Sequence, residues 1–124
     1  MKSFTSTLLT AALASGVSGH AFFQELYVNG VSAAHLTGIR EPPNNNPVTD
    51  VTTSDMICNV SPTSPTDIIP VKASDTLTTE WHHGLNGADA ANPDDPIAAS
   101  HNGPIMTYLV KVDSGTTTDV RSQM

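Results

Sequence analysis

No stretch of this chain carries a sustained helical hydrophobic period, and that restricts the fold more than any motif does. The apolar residues fall instead into short runs of period two, separated by turn chemistry. Phe22 to Val28 alternates, with Phe22, Leu26 and Val28 expected on one face and Phe23 and Tyr27 on the other, and Asn29-Gly30 follows as a turn. Pro70 to Asp75 resembles a strand end and turn. It leads into Thr76 to His82, where Leu77, Thr79 and Trp81 alternate with Thr76, Thr78 and Glu80. The clearest alternation is Ile105 to Val112, with Met106, Tyr108, Val110 and Val112 on one face, which is expected to form core. Met56 to Val60 is a short segment that could pair weakly.

Between these runs lie segments that cannot be regular. Ser32 to Thr53 holds Gly38, Pro42, Pro43, three successive asparagines and Pro47, and so reads as an irregular surface excursion. His83 to Gly103 is a loop of about twenty residues rich in Asn, Asp, Ala and Pro, a length that in compact domains is usually functional or disordered. The class is therefore all-β, most simply an immunoglobulin- or fibronectin-III-like antiparallel β-sandwich with long loops. Only four or five strands are legible, where such a sandwich needs about seven. The polar run Asp113 to Met124 adds no closing strand, so the sandwich is expected to be truncated.

Met1 to Gly19 reads as a secretory signal peptide. Lys2 precedes an apolar run, Leu8 to Val17, and small residues occupy Val17-Ser18-Gly19. The run is shorter than the roughly 20 residues needed to cross a bilayer. Cleavage there leaves His20 to Met124, a single secreted, extracellular domain of 105 residues that would bury roughly 60 to 65% of its unfolded surface. Twelve acidic residues then face four basic ones, which argues against nucleic acid or an anionic membrane and favours a neutral partner. Cys58 is a lone cysteine bound for an oxidising compartment; it is either a buried free thiol or half of a disulfide whose partner lies outside this sequence. Asn59-Val60-Ser61 is a glycosylation sequon followed by Pro62.

The chemistry rests on five histidines. A histidine made N-terminal by cleavage offers its α-amino nitrogen and ring Nδ1 to the same metal ion, so His20 is the first candidate ligand. His101 ends the long loop just before Gly103-Pro104 and the expected core strand, a rigid platform for a third nitrogen. Three nitrogens in a T suit Cu(II), whereas zinc would require a fourth donor. His35 reads as a solvated side chain, and of the adjacent His82 and His83 at most one could join a site, since neighbours on a strand point to opposite faces. Glu80 and Asp95 are carboxylates, but nothing in the sequence sets them across a cleft as a glycosidase pair; Glu80 reads as solvent-facing and Asp94-Asp95-Pro96 as turn chemistry.

The phrases His20-Ala21-Phe22, Val28-Asn29-Gly30-Val31, Asn45-Asn46-Pro47-Val48-Thr49-Asp50-Val51, Asp55-Met56-Ile57-Cys58-Asn59, Thr79-Glu80-Trp81-His82-His83 and Asp95 to Val112 closely resemble the N-terminal half of fungal lytic polysaccharide monooxygenases of family AA9, formerly glycoside hydrolase family 61. The likeness runs in order from His20 to about Val112. It implies that residues 20 to 124 are the N-terminal part of a catalytic domain in which His20 and His101 are both the copper ligands and the catalytic residues. It also implies a reductant-driven oxidation by O2 or H2O2 that removes hydrogen at C1 or C4 of a β-1,4-glucan and breaks the chain. The implied partners are crystalline cellulose or a related β-glucan, and a small reductant or secreted dehydrogenase as electron donor, with the protein a monomer. In that family the axial tyrosine, a glutamine and histidine behind the metal, and the cysteine partner of Cys58 come from the half that has no counterpart here; Tyr108 does not take the axial role. A non-catalytic copper- or cellulose-binding remnant and an inactive fragment are the alternatives.

Overall fold

In the computed structural model, residues 20–116 are described; the expected signal peptide at 1–19 lies outside them. Three strands, β1 (Phe22–Val28), β2 (Val31–Ser32) and β3 (Leu77–His82), form one antiparallel sheet in the order β2-β1-β3. The chain is thus all-β and antiparallel, with a single 3-10 turn at Ser54–Ile57 as its one helical element among the described residues.

Two of the expected strands form where alternation puts them. β1 and β2 make a hairpin with Val28 opposite Val31 and only Asn29-Gly30 between them. Both linking residues have positive φ, 52° and 80°, the geometry that matches strand twist and that Asn-Gly tolerates. Asn29 also ties this hairpin to the turn before β3: its Nδ2 donates to Asp75 Oδ1 at 2.8 Å, and its Oδ1 accepts from the Thr76 amide at 2.9 Å. Asp75 in turn accepts from the Lys72 amide, and these bonds hold its carboxyl below the usual range, that from Asn29 first.

The faces of β1 differ from simple alternation. Phe22 pairs with His82 and Phe23 with Trp81, but Glu25 pairs with Glu80, so the register slips by one residue at Gln24. Such a bulge swaps the faces of everything beyond it. Phe23, Leu26 and Val28 therefore share a face with Trp81, Thr79 and Leu77, while Phe22, Glu25 and Tyr27 share the other with His82, Glu80 and Thr78. The Phe23 and Trp81 rings sit 6.0 Å apart on the apolar face.

Gln24 itself is wholly buried and every hydrogen-bonding position of its amide is used. Nε2 donates to the carbonyls of His82, at 3.2 Å, and Gly84; Oε1 accepts from the Gly87 amide and from His35 Nε2, both at 2.9 Å. Its backbone carbonyl accepts from Leu36 at 2.8 Å. One side chain thereby joins β1 to the end of β3, the start of the long loop and the excursion after β2. His35 is exposed, as expected, but it is not merely solvated.

Two expected strands are absent. Met56 to Val60 gives way to the 3-10 turn because Asp50 and Thr53 supply local bonds that compete with a ladder: Asp50 Oδ1 accepts from Thr52 N at 2.9 Å, and Thr53 O accepts from Met56 N at 3.3 Å. Ile105 to Val112 does not pair and does not form core. Leu109 is fully exposed and Tyr108 is 82% exposed. Alternation prepares a face, but a strand exists only against a neighbour that satisfies its amides, and none faces it among the described residues.

The excursion runs irregularly as expected, apart from one antiparallel bridge, Glu41 to Thr63. Gly38 sits at φ 68°, where side chains are strained, and a Cβ there would lie 2.9 Å from the Ile69 side chain, which would have to shift. Among the described residues Pro42 and Ala98 are the buried apolar ones, whereas Gln24 and His82 are buried and polar. The interior depends on satisfied hydrogen bonds more than on apolar volume. Replacing Gln24 with Leu, similar in size but without partners for four polar groups, is expected to cost about 3 kcal/mol or more. The check is the urea midpoint followed through Trp81 fluorescence, where an unchanged midpoint would remove Gln24 from this role.

Candidate metal centre

His20 stands just before β1 and His101 at the far end of the loop that follows β3, 81 positions later in the chain. The fold brings them together: their ring centroids are 5.3 Å apart with the planes at 71°, edge to face. Both are half-buried. His20 Nδ1 is buried without a hydrogen-bond partner, an arrangement that normally carries a desolvation penalty unless a ligand fills it. His101 Nδ1 lies 3.5 Å from Ser100 Oγ, which leaves its Nε2 facing away from that contact.

The two rings line an open depression of about 410 Å³ together with Trp81, Ile97, Gly103 and Met106. A second depression of about 350 Å³ also includes His20 in its lining, together with Asn44, Asn45, Asn46, Asp55 and Asn59 among others. His20 is the hinge between an apolar hollow and one rich in neutral amides. Among the described residues no group of three or more His, Cys, Asp or Glu side chains is arranged to hold a metal ion by itself. An ion here would be held by two imidazoles and, once the peptide bond before His20 is cut, by its α-amino group. The orphaned Nδ1 and a second imidazole alongside it fit a late first-row metal that accepts nitrogen donors.

Neither His82 nor His83 lines the hollow. His82 is 7% exposed and sits between two carboxylates: Nε2 donates to Glu80 Oε1 at 2.8 Å and Nδ1 to Asp95 Oδ2 at 3.0 Å. Glu80 Oε2 accepts from the Tyr27 hydroxyl at 2.6 Å. Asp95 also accepts from the amides of His83 and Asp89, at 2.9 and 3.1 Å. Glu80 is therefore not the free solvent-facing side chain its alternation implied, although it remains partly wet, and Asp95 does more than shape a turn. The two carboxylates do come together, but with an imidazole filling the space where a glycosidase would hold the scissile bond, which excludes a hydrolytic pair.

Sequence reasoning missed this network. Glu80 and His82, two apart on a strand, were legible as sharing a face. Tyr27 joins them only because the Gln24 bulge turned it to that side, and Asp95 only because the loop folds back. Cys58 is free and half-buried. Asn59 has φ 68° and accepts from the Val60 amide with its own Oδ1 at 2.7 Å.

The network is electrostatically consistent. Burial alone would lower the His82 pKa, but hydrogen bonds and attraction from Glu80 and Asp95 overcome this and raise it. The Tyr27 hydrogen bond first, then that of His82, hold Glu80 below its usual range. Burial would raise Asp95, yet the His83 and Asp89 amides and the His82 ring bring it down. Tyr27, hydrogen-bonded to Glu80 and surrounded by negative charge, is pushed up to about 12. A raised His82 stabilises the fold fully below its unfolded value near 6.5, and that contribution is lost as pH rises through the higher folded value. The lowered carboxylates contribute above their ordinary values and lose it as pH falls through the folded ones. Thermal stability should therefore peak between these limits, and His82→Gln should flatten the alkaline limb of the melting-temperature profile while leaving an acid limb.

Residues 20–124 match the model of Auxiliary Activity family 9 (formerly GH61). Over 111 residues the chain is 48% identical to AA9 family lytic polysaccharide monooxygenase C of Neurospora crassa, covering 89% of this chain and 31% of that protein. It is 44% identical over 120 residues to AA9 family lytic polysaccharide monooxygenase A of Aspergillus clavatus, covering 93% and 33%. A third relative, AA9 family lytic polysaccharide monooxygenase AA9-X282 of Trametes coccinea, is 40% identical over 114 residues, covering 92% and 40%. The chain spans about a third of the length of these curated relatives. With a match from His20 to the final residue, the chain belongs to Auxiliary Activity family 9, whose fold is a β-sandwich.

Proposed function

We propose that this secreted chain, cut before His20, binds one copper ion through the His20 α-amino group, His20 Nδ1 and His101 Nε2, and serves the oxidative cleavage of β-1,4-glucan. The single observation that carries the proposal is the meeting of two imidazoles 81 positions apart, one with a buried, unpartnered Nδ1, at the start of the family match. Relatives named lytic polysaccharide monooxygenases supply the reaction class. Copper held by these nitrogens supplies one-electron redox chemistry toward O2 or H2O2 at an open surface, with electrons from an external donor.

The chain's own residues support the substrate class. The amide-lined hollow beside His20 offers neutral donors and acceptors, and the excess of twelve acidic over four basic residues in the cut chain repels anionic polymers, so an uncharged polysaccharide fits. Trp81 and Met106 supply an apolar wall next to His101.

The chain with His20 as its first residue is expected to bind one Cu(II), read by quenching of Trp81, the only tryptophan. One extra residue ahead of His20 removes the amine chelate, and His101→Ala removes the third nitrogen; each should weaken binding at least about ten-fold. Equal affinity in all three would sink the copper assignment. Incubation with cellulose and ascorbate then separates turnover from binding alone: oxidised oligosaccharides, identified by mass, mark the enzyme, and their absence with copper bound marks a binder.

A further inference from the structure

The expected platform for His101 was the strand after it, yet residues 103–112 form no regular structure and most are exposed. Something else must hold this imidazole against His20. The loop from His83 to His101 is fixed at a series of points, and the last polar one is Asp95. Its side chain is 7% exposed, and it accepts from three N–H groups: His82 Nδ1, the His83 amide and the Asp89 amide. His82 is itself braced from the opposite side by Glu80, which Tyr27 ties to β1. Beyond Asp95, Ile97 lines the hollow, Ala98 is buried, and the Ala98 carbonyl accepts from the His101 amide at 2.8 Å. The path from the sheet to His101 is thus a short series of anchored residues.

We infer that Asp95, gripped by His82, is a positioning residue for the metal centre: the Tyr27-Glu80-His82-Asp95 chain fixes the loop so that His101 meets His20. This rests on the copper reading above, and it assigns to these four side chains a task separate from ligation. Neither Asp95 nor His82 lines the hollow, so neither touches the ion; both act through the loop. A long loop without such an anchor would populate many positions for His101 and lower metal affinity by the fraction in which the two rings are apart. Coupling of this kind is reciprocal, so metal binding must also tighten the anchor.

The test uses the whole chain processed to begin at His20, with Cu(II) as the probe. On the unaltered protein, hydrogen exchange of the 83–95 segment should slow when Cu(II) is added, and unchanged exchange there would overturn the inference. Asp95→Asn and His82→Leu should each weaken Cu(II) binding by about ten-fold or more. Their electron paramagnetic resonance spectra should lose the nitrogen coupling of His101. His82→Gln, which keeps a donor toward Asp95, should restore both. Asn29→Ala, a destabilising change at the remote hairpin, should lower the melting temperature without altering the spectrum. Parent-like affinity and spectrum in Asp95→Asn and His82→Leu would overturn the positioning role. Where either variant lacks a cooperative melt, the exchange result on the unaltered chain decides. If instead His101→Ala binds Cu(II) as the parent does, the copper reading itself has failed and the positioning role goes with it.

Discussion

The amide of Gln24 is the interaction on which the rest of this structure depends. It occupies the single point where the β1-β3 ladder slips, and it converts that irregularity into a junction by bonding to His82, Gly84, Gly87 and His35. A bulge left to itself exposes unpaired backbone; here the residue at the slip turns inward and satisfies the neighbouring carbonyls. A buried primary amide with all four positions used is specific in a way that an apolar side chain is not, because only one arrangement of the surrounding loops satisfies it.

The slip has a second consequence. By reversing the sides of β1 it sends Phe23, Leu26 and Val28 to the Trp81 face and Tyr27 to the Glu80-His82 face. The sheet therefore has an apolar side and a polar, charge-bearing side, and the polar side carries the carboxylate-imidazole chain from β1 to the long loop. The two buried polar residues among those described, Gln24 and His82, lie at one end of the sheet, and it is there that His20, just before β1, and His101, at the loop's end, converge. The placing of the two candidate ligands and the stability of the fold then rest on the same hydrogen bonds, where apolar burial is scarce.

Much of the candidate site was legible beforehand, for a chemical reason. A histidine exposed by cleavage has a donor pair that no internal histidine has, and His101 stood out through its place at a loop end. β1, the Asn29-Gly30 turn and β3 were equally legible because alternation and turn chemistry are local properties. The segment from Ile105 to Val112 shows the limit. Its alternation is the best in the chain, yet pairing is a property of two segments and not one. The carboxylate chain was hidden for a similar reason: Glu80 and Asp95 acquire their roles from a ring that the sequence could not set between them.

What the sequence alone determined is the all-β class and the hairpin, and it nominated the two histidines as candidate metal ligands, since each follows from residue type, spacing or covalent position. Tertiary structure decided which sides of β1 face which partners, which alternating segment pairs, and what holds His101 near His20. Those outcomes turn on one inserted residue in a ladder and on hydrogen bonds between groups far apart in the chain, and no local pattern encodes a partner that only folding brings within 3 Å.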